Sequence, residues 1–267
     1  MVEFVYSLAR QEKRSYILDK MNDALACGKK ILLIAPEQQA LMWDSLVASE
    51  LPPSAAFKVE TLSFTRLADA VFRRFGGCAK NYITEPKKAL VMWRAVNAVR
   101  DGLKVFGRGR EDRYVQVLLK AVSEARLYSQ TPATLMKAAD TLYEEKREEG
   151  IASRLHDLSL VWAAYDVLLH ESYDDPEEIS DALCDVLDGH NCFEGYVVFI
   201  DSFYTLTPKE RNIAARIFRD ADETVVTFAL SAEDRDSIHT EHIRSYKNLL
   251  AKTAQRMGQD VKVVSLS

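Results

Sequence analysis

The sequence predicts a doubly wound α/β fold whose course is broken by an all-helical stretch. Six short apolar segments have the length and continuity of strands buried on both faces, the pattern of a parallel sheet. Helix-period segments alternate with those strands, which is how such a fold is wired. About a hundred residues in the middle carry helical periods and no convincing strand.

The elements follow in order. Glu3–Tyr6 is the first strand, and a helix over roughly 13–27 leads to the second, Lys30–Ala35. A helix over 38–48 leads to Lys58–Leu62, and another over 64–75 closes this run. The middle opens with Leu90, Val91, Trp93, Arg94 and Val96. Val115, Leu118, Leu119, Val122 and Ala125 form a second helical period, and Leu135, Ala138, Ala139 and Leu142 a third. Leu155, Leu158, Val161, Trp162, Tyr165 and Leu168 form a fourth. Thr131 is placed to cap a helix with Pro132 at its first position. The α/β rhythm resumes with Tyr196–Asp201, then a helix over 208–218. There Thr207 and Glu210 have the spacing of a capping box. Thr224–Leu230, a helix over 240–257 and Val261–Leu266 complete the pattern.

This layout assigns 1–84 and 191–267 to a discontinuous α/β domain, and 85–190 to a helical insertion. Val261–Ser267 reads as a strand with nothing after it. An α/β sheet rarely ends on a bare buried strand, so the chain is expected to be the N-terminal part of a longer one.

Composition narrows the class. With 267 residues, 48% hydrophobic and 28% charged, the chain is long enough for a full core and two domains. Seven Pro and ten Gly are too few for a low-complexity chain. No run approaches the ~18 apolar residues of a membrane helix. Met1–Tyr6 lacks the basic and apolar regions of a secretion signal. Cys27, Cys78, Cys184 and Cys192 therefore read as reduced thiols of a cytoplasmic protein. Charge is uneven: residues 1–130 carry 21 Lys+Arg against 14 Asp+Glu (+7), and residues 131–267 carry 14 against 26 (−12). Such a split fits a nucleic-acid face backed by an acidic partner face, and equally an uneven solvated surface.

The turn after the first strand is where a phosphate-binding loop sits in a P-loop fold. That loop needs G-x-x-x-x-G-K-S/T: glycines wrap backbone N–H groups around phosphate, Lys adds a charge, and the hydroxyl holds Mg²⁺. Aligned on Lys13, the glycine positions hold Ser7 and Glu12, the hydroxyl position holds Arg14, and Ser15 comes one residue late. Glu12 sets a negative charge beside any bound phosphate. Lys13, Arg14 and Ser15 thus read as a vestigial nucleotide site or an ordinary strand–loop–helix. Tyr196–Asp201 is an apolar strand ending in Asp, as in a Walker B motif, where Asp holds Mg²⁺. Ser202 stands where motor ATPases usually place Glu. Glu60–Ala68 reads as a strand entering a helix, with Thr61, Ser63, Thr65 and Arg66 able to donate to a nucleic-acid backbone. Helix capping and a solvated Arg explain the same residues. No metal centre is expected: Cys184, His190 and Cys192 lack a fourth ligand, and His239 and His242 have no placed carboxylate. No hydrolase motif occurs.

Five segments, in order, resemble the N-terminal part of the AddB family, components of the AddAB helicase–nuclease that processes double-strand breaks in bacteria. Lys13-Arg14-Ser15-Tyr16-Ile17 is similar to that family's G-K-S/T-x-x-I. Leu32-Leu33-Ile34-Ala35-Pro36-Glu37-Gln38 is similar to L-L-V-P-E-Q, with one extra residue. Thr61-Leu62-Ser63-Phe64-Thr65-Arg66-Leu67-Ala68 matches T-x-S-x-x-R-L-A. Arg154-Leu155-His156-Asp157-Leu158 through Tyr165 is similar to K-L-x-D-L…Y. Ile200-Asp201-Ser202-Phe203 through Glu210 resembles D-G-F-x-x-L/F-T-P-x-E, with Ser202 in place of Gly.

The resemblance implies a superfamily-1 helicase-like fold: a RecA-like P-loop-type domain 1A with a 1B-like helical insertion. It implies DNA as ligand and an AddA-type helicase–nuclease subunit as partner, with no membrane. The family's nuclease domain and iron–sulfur cluster have no counterpart motif in this chain. The expected function is a helicase-like, ATPase-inactive region that binds DNA and scaffolds a recombination nuclease. Ser63, Thr65 and Arg66 are the expected DNA contacts. Lys13, Arg14, Ser15 and Asp201 are the vestigial nucleotide residues, with no catalytic residue and no cofactor. Two alternatives stand beside it: a weak ATP–Mg²⁺ site at Lys13 and Asp201, and a purely structural docking module.

Overall fold

The structure is a computed structural model. The residues it describes are 1–53, 57–76, 82–107, 112–145, 148–175, 178–230 and 240–266. Cys78 and His239, singled out above, lie outside them. Two compact units are present: unit 1 comprises Met1–Cys78 and Ser180–Ser267, and unit 2 comprises Ala79–Ile179.

Unit 1 is built on six strands: β1 (Val2–Tyr6), β2 (Lys30–Ile34), β3 (Val59–Leu62), β4 (Tyr196–Ile200), β5 (Glu223–Phe228) and β6 (Val261–Ser265). All pairings are parallel, in the order β3-β2-β4-β5-β1-β6. The parallel sheet expected from continuous apolar runs is therefore present. Its helices are α1 (Arg10–Ala26), α2 (Glu37–Glu50), α3 (Phe64–Phe75), α8 (Ile179–Gly189), α9 (Pro208–Asp220) and α10 (Glu241–Arg256), of which α8 begins one residue inside unit 2. One sheet face buries Val5, Ile31, Leu33, Val197, Phe199 and Val225 against Ile17 and Met21 of α1 and Trp43 of α2. The alternate residues Phe4, Leu32, Ile34, Val198, Ile200 and Phe228 are buried too. Phe228 meets Tyr246 of α10 at 5.6 Å between ring centroids. Burial on both faces is why these strands read as unbroken apolar runs.

Three elements depart from the sequence reading. Helix α1 begins at Arg10 rather than near 13, for reasons given below. Helix α8 carries no period singled out in the sequence; its buried residues are Leu183, Cys184 and Leu187, a short stripe among aspartates. Strand β6, expected to be buried like the others, is an edge strand with one neighbour, and Lys262 and Val263 are exposed. Lys262 reaches the carboxylate of Glu3 at 3.1 Å. Glu3 lies wholly buried in β1, where Lys20 (2.8 Å) and Tyr16 (2.9 Å) also hold it. Burial pushes the Glu3 carboxyl up, but these partners outweigh it and hold it below its usual value.

Unit 2 holds α4 (Glu85–Ala98), α5 (Asp112–Leu127), α6 (Pro132–Glu144) and α7 (Glu149–His170). Met92, Ala95, Val96, Leu118, Val122, Val161 and Trp162 form its core. Both capping signals read from the sequence are made. The Thr131 hydroxyl accepts the Thr134 N–H at 3.2 Å, and Thr134 reciprocates at 2.9 Å. In unit 1, Thr207 and Glu210 exchange the same pair of bonds at 3.2 and 2.8 Å.

Two buried polar clusters organise unit 2. Asp157 accepts backbone N–H bonds from Lys104, Val105 and Phe106 at 2.7–3.0 Å. Arg126 pairs with Asp166 and Asp175 beside the rings of Trp162 and Tyr165, and Lys88 reaches Asp175 at 3.1 Å. Removing one member strands a buried charge, which is strongly destabilising. Among the described residues, no helix is long and apolar enough to cross a membrane.

Candidate functional site

Topology marks where a ligand would sit. Strand β2 continues outward to β3, whereas β4 continues to β5 on the opposite side. The carboxyl ends of β2 and β4 therefore form a switch point, where open α/β sheets bind ligands. Asp201 follows β4 there.

The turn after β1 is three residues long, Ser7-Leu8-Ala9, before α1 begins at Arg10. Its geometry is set by one hydroxyl. Ser7 Oγ accepts the Ala9 N–H at 2.9 Å and donates to Glu12 Oε2 at 2.6 Å. This exchange satisfies a donor at the helix start and sets a carboxylate in the first turn, where the helix dipole favours it. It accounts for the early start of α1. The Lys13 amide already bonds the Ala9 carbonyl at 3.3 Å, so Lys13 sits inside the helical ladder. A phosphate-wrapping loop needs about six residues between strand and Lys, in extended turns; here residues 10–12 are helical.

Lys13, Arg14 and Asp201 come together nonetheless. With Arg10, Gln39, Ser202, Phe203, Tyr204, Thr227, Ala229 and Ile243 they line a cavity of about 70 Å³. Ser15 is exposed and is not part of this lining. Burial pushes the Lys13 ammonium below its ordinary value, against the pull of Asp201 and with a further push from Arg10. Asp201 is buried, and its carboxylate is engaged by neutral protein donors. Trp43 Nε1 donates to Oδ2 at 2.9 Å, Ser202 Oγ to the same oxygen at 2.7 Å, and Thr227 Oγ1 to Oδ1. Oδ2 thus accepts two bonds and Oδ1 one, which leaves little of the carboxylate for Mg²⁺. Among the described residues no three His, Cys, Asp or Glu side chains form a metal-holding group. These residues do not fit a Mg²⁺-nucleotide, and no chemical step is derived through one.

Ser202 has φ +64°, in the left-handed region that favours glycine. This gives a backbone reason for the glycine at this position in the family motif the segment resembles.

At the carboxyl end of β3, Ser63 caps α3: its hydroxyl oxygen accepts the Arg66 N–H at 3.3 Å. Ser63 is buried, and Thr65 and Arg66 are exposed on the first turn. Phe64 packs on Phe203 at 5.4 Å between centroids, joining this turn to the cavity wall. The sequence-predicted residues therefore fall into two groups, Lys13–Arg14–Asp201 and Ser63–Thr65–Arg66, linked through one aromatic contact. Sequence reasoning misses Trp43 and Thr227. Trp43 follows Ala40 by three residues and reads as core, and nothing local reveals the direction of its N–H.

A larger cavity, about 510 Å³, lies beside Tyr196, Phe193 and Arg74. Tyr196 is the first residue of β4, so this space borders the amino end of that strand, away from the switch point.

Comparison with known proteins adds family membership. A family model described as "ADDB, N-terminal" matches residues 4–266. The chain is 25% identical over 240 residues to the B subunit of the ATP-dependent helicase/deoxyribonuclease of Thermoanaerobacter sp. (strain X514), covering 89% of this chain and 20% of that one. It is 26% identical over 245 residues to the B subunit of the same name from Caldanaerobacter subterraneus subsp. tengcongensis, covering 91% and 21%. The corresponding protein from Clostridium acetobutylicum, again of that name, is 24% identical over 236 residues, covering 87% and 20%. The chain thus spans about a fifth of the length of these curated relatives.

Proposed function

The chain belongs to the AddB N-terminal family, and from that premise we propose that it is a helicase-like region that contacts DNA and scaffolds a bacterial helicase–nuclease without hydrolysing ATP. Its relatives are named as subunits of an ATP-dependent helicase/deoxyribonuclease, which supports a role in double-strand break repair and recombination. The same names support an AddA-type helicase–nuclease subunit as partner, in the cytoplasm. Exposed Thr65 and Arg66 on the first turn of α3 are the DNA contacts, with Ser63 holding the turn. Such contacts are directed to phosphate and are weakened by salt.

One observation carries the ATPase-silent part: the Asp201 carboxylate is engaged by Trp43, Ser202 and Thr227. The shortness of the β1–α1 turn points the same way. The test is ATP hydrolysis by the chain with Mg²⁺ and DNA, beside Lys13→Ala. The expected result is no turnover above that of the variant; turnover lost in the variant overturns the reading.

A second reading has its own support. Lys13 and Asp201 still line one cavity and interact electrostatically, as a weak ATP–Mg²⁺ site requires. It predicts saturable, Mg²⁺-dependent ATP binding.

A further inference from the structure

We propose that the cavity at the carboxyl end of the sheet binds a single tetrahedral oxyanion, a phosphate or phosphate monoester, through Lys13 and Arg14. The proposal rests on the reading that no Mg²⁺-nucleotide uses this cavity. It holds whether or not α3 contacts DNA.

The charge of the lining comes first. Arg10, Lys13 and Arg14 supply three cations, and Asp201 is the one carboxylate among the lining residues. That carboxylate already accepts from Trp43, Ser202 and Thr227. The cationic side of the cavity therefore exceeds the anionic side.

The cations also lack acceptors. Among the described residues, the Lys13 ammonium makes no hydrogen bond or ion pair, although it is half-buried. The Arg14 guanidinium reaches the thioether of Met42, a weak acceptor, and its Nε is buried without a partner. Half-buried cations without an acceptor are unfavourable unless something compensates them. An oxyanion supplies several acceptors at once, and Lys and Arg are the side chains that bind phosphate best.

Size selects the ligand. A water needs roughly 10–15 Å³ of such space. The cavity's 70 Å³ accommodates a group of about five heavy atoms, which is a tetrahedral oxyanion. Sites for whole small molecules run to roughly 300–1,000 Å³, so a nucleoside triphosphate is too large.

The test is calorimetric titration of the chain with inorganic phosphate in chloride buffer without Mg²⁺. One saturable site is expected, weakened about tenfold or more in Lys13→Ala and in Arg14→Ala. A second variant guards against loss of fold. Glu12→Gln keeps an acceptor for Ser7 and removes a negative charge next to Lys13, so phosphate binding should tighten a few-fold. No saturable heat with the wild-type chain, or unchanged affinity in all three variants, overturns the proposal and leaves the ATPase-silent reading standing. Tighter binding of Mg²⁺-ATP than of phosphate, lost in Lys13→Ala, overturns both. The source of the phosphate is read by competition. Displacement by a 5′-phosphorylated oligonucleotide, but not by its unphosphorylated form, assigns a nucleic-acid end, and displacement by neither assigns free phosphate.

Discussion

The indole Nε1 of Trp43 donates a 2.9 Å hydrogen bond to Oδ2 of Asp201, a residue 158 positions further along the chain. With Thr227 and Ser202 as further donors, one carboxylate ties α2, the end of β4 and the end of β5 together. An Asp at the end of an apolar strand is where a metal-binding carboxylate sits in a motor ATPase. In this chain the same position serves the fold.

Asp201→Ala should therefore destabilise the chain. The substitution strands the buried indole N–H of Trp43 and the hydroxyl of Thr227, at a cost of roughly 2–4 kcal/mol. Urea unfolding measures it. Stability equal to or above wild type would mean the carboxylate is held for a ligand rather than for the fold.

Ser202 offers a separate test. Ser202→Ala loses the bond to Asp201 and keeps the positive φ, for a cost of about 1–2 kcal/mol. Ser202→Gly loses the same bond but relieves the backbone, so it should be about 1 kcal/mol more stable than the Ala variant. Equal midpoints in the two variants would show that the left-handed backbone at Ser202 carries no strain.

Arg66→Ala should weaken DNA binding and lower the slope of log K against log salt by about one, the signature of a single lost phosphate contact. Fluorescence anisotropy across a salt series measures both. Unchanged affinity and slope would remove α3 from the DNA interface.

Asp157 makes a pH prediction. Burial pushes its carboxyl up, but the backbone donors of Lys104, Val105 and Phe106 and the neighbouring His156 outweigh that and hold it below 3.8. A depressed folded value contributes stability that is present above about pH 3.8 and lost as pH falls through the folded value. Urea midpoints should fall in that acid window for the wild-type chain. Asp157→Asn should be less stable at neutral pH and show a shallower acid decline. An identical pH profile in the variant would contradict the assignment.

The sheet is legible in the sequence because strands buried on both faces leave unbroken apolar runs, as in Ile31–Ile34 and Tyr196–Ile200. The caps at Thr131 and Thr207 are legible because their bonds span three residues. The early start of α1 is not, since it depends on one serine hydroxyl bonding both Ala9 and Glu12. The exposure of β6 depends on how many neighbours a strand has, which no local pattern records. The candidate site is half legible. Lys13 and Asp201 stand in recognisable positions, but the donors that occupy Asp201 come from α2 and β5 and meet it only in three dimensions.

The most direct measurement of the central claim is a titration of the chain with fluorescent ATP, with and without Mg²⁺, beside Lys13→Ala. With Asp201 occupied by Trp43, Ser202 and Thr227, Mg²⁺ should add nothing: no saturable Mg²⁺-dependent binding is expected in either protein. Saturable binding that requires Mg²⁺ and disappears in Lys13→Ala would contradict the account and restore the cavity as a nucleotide site.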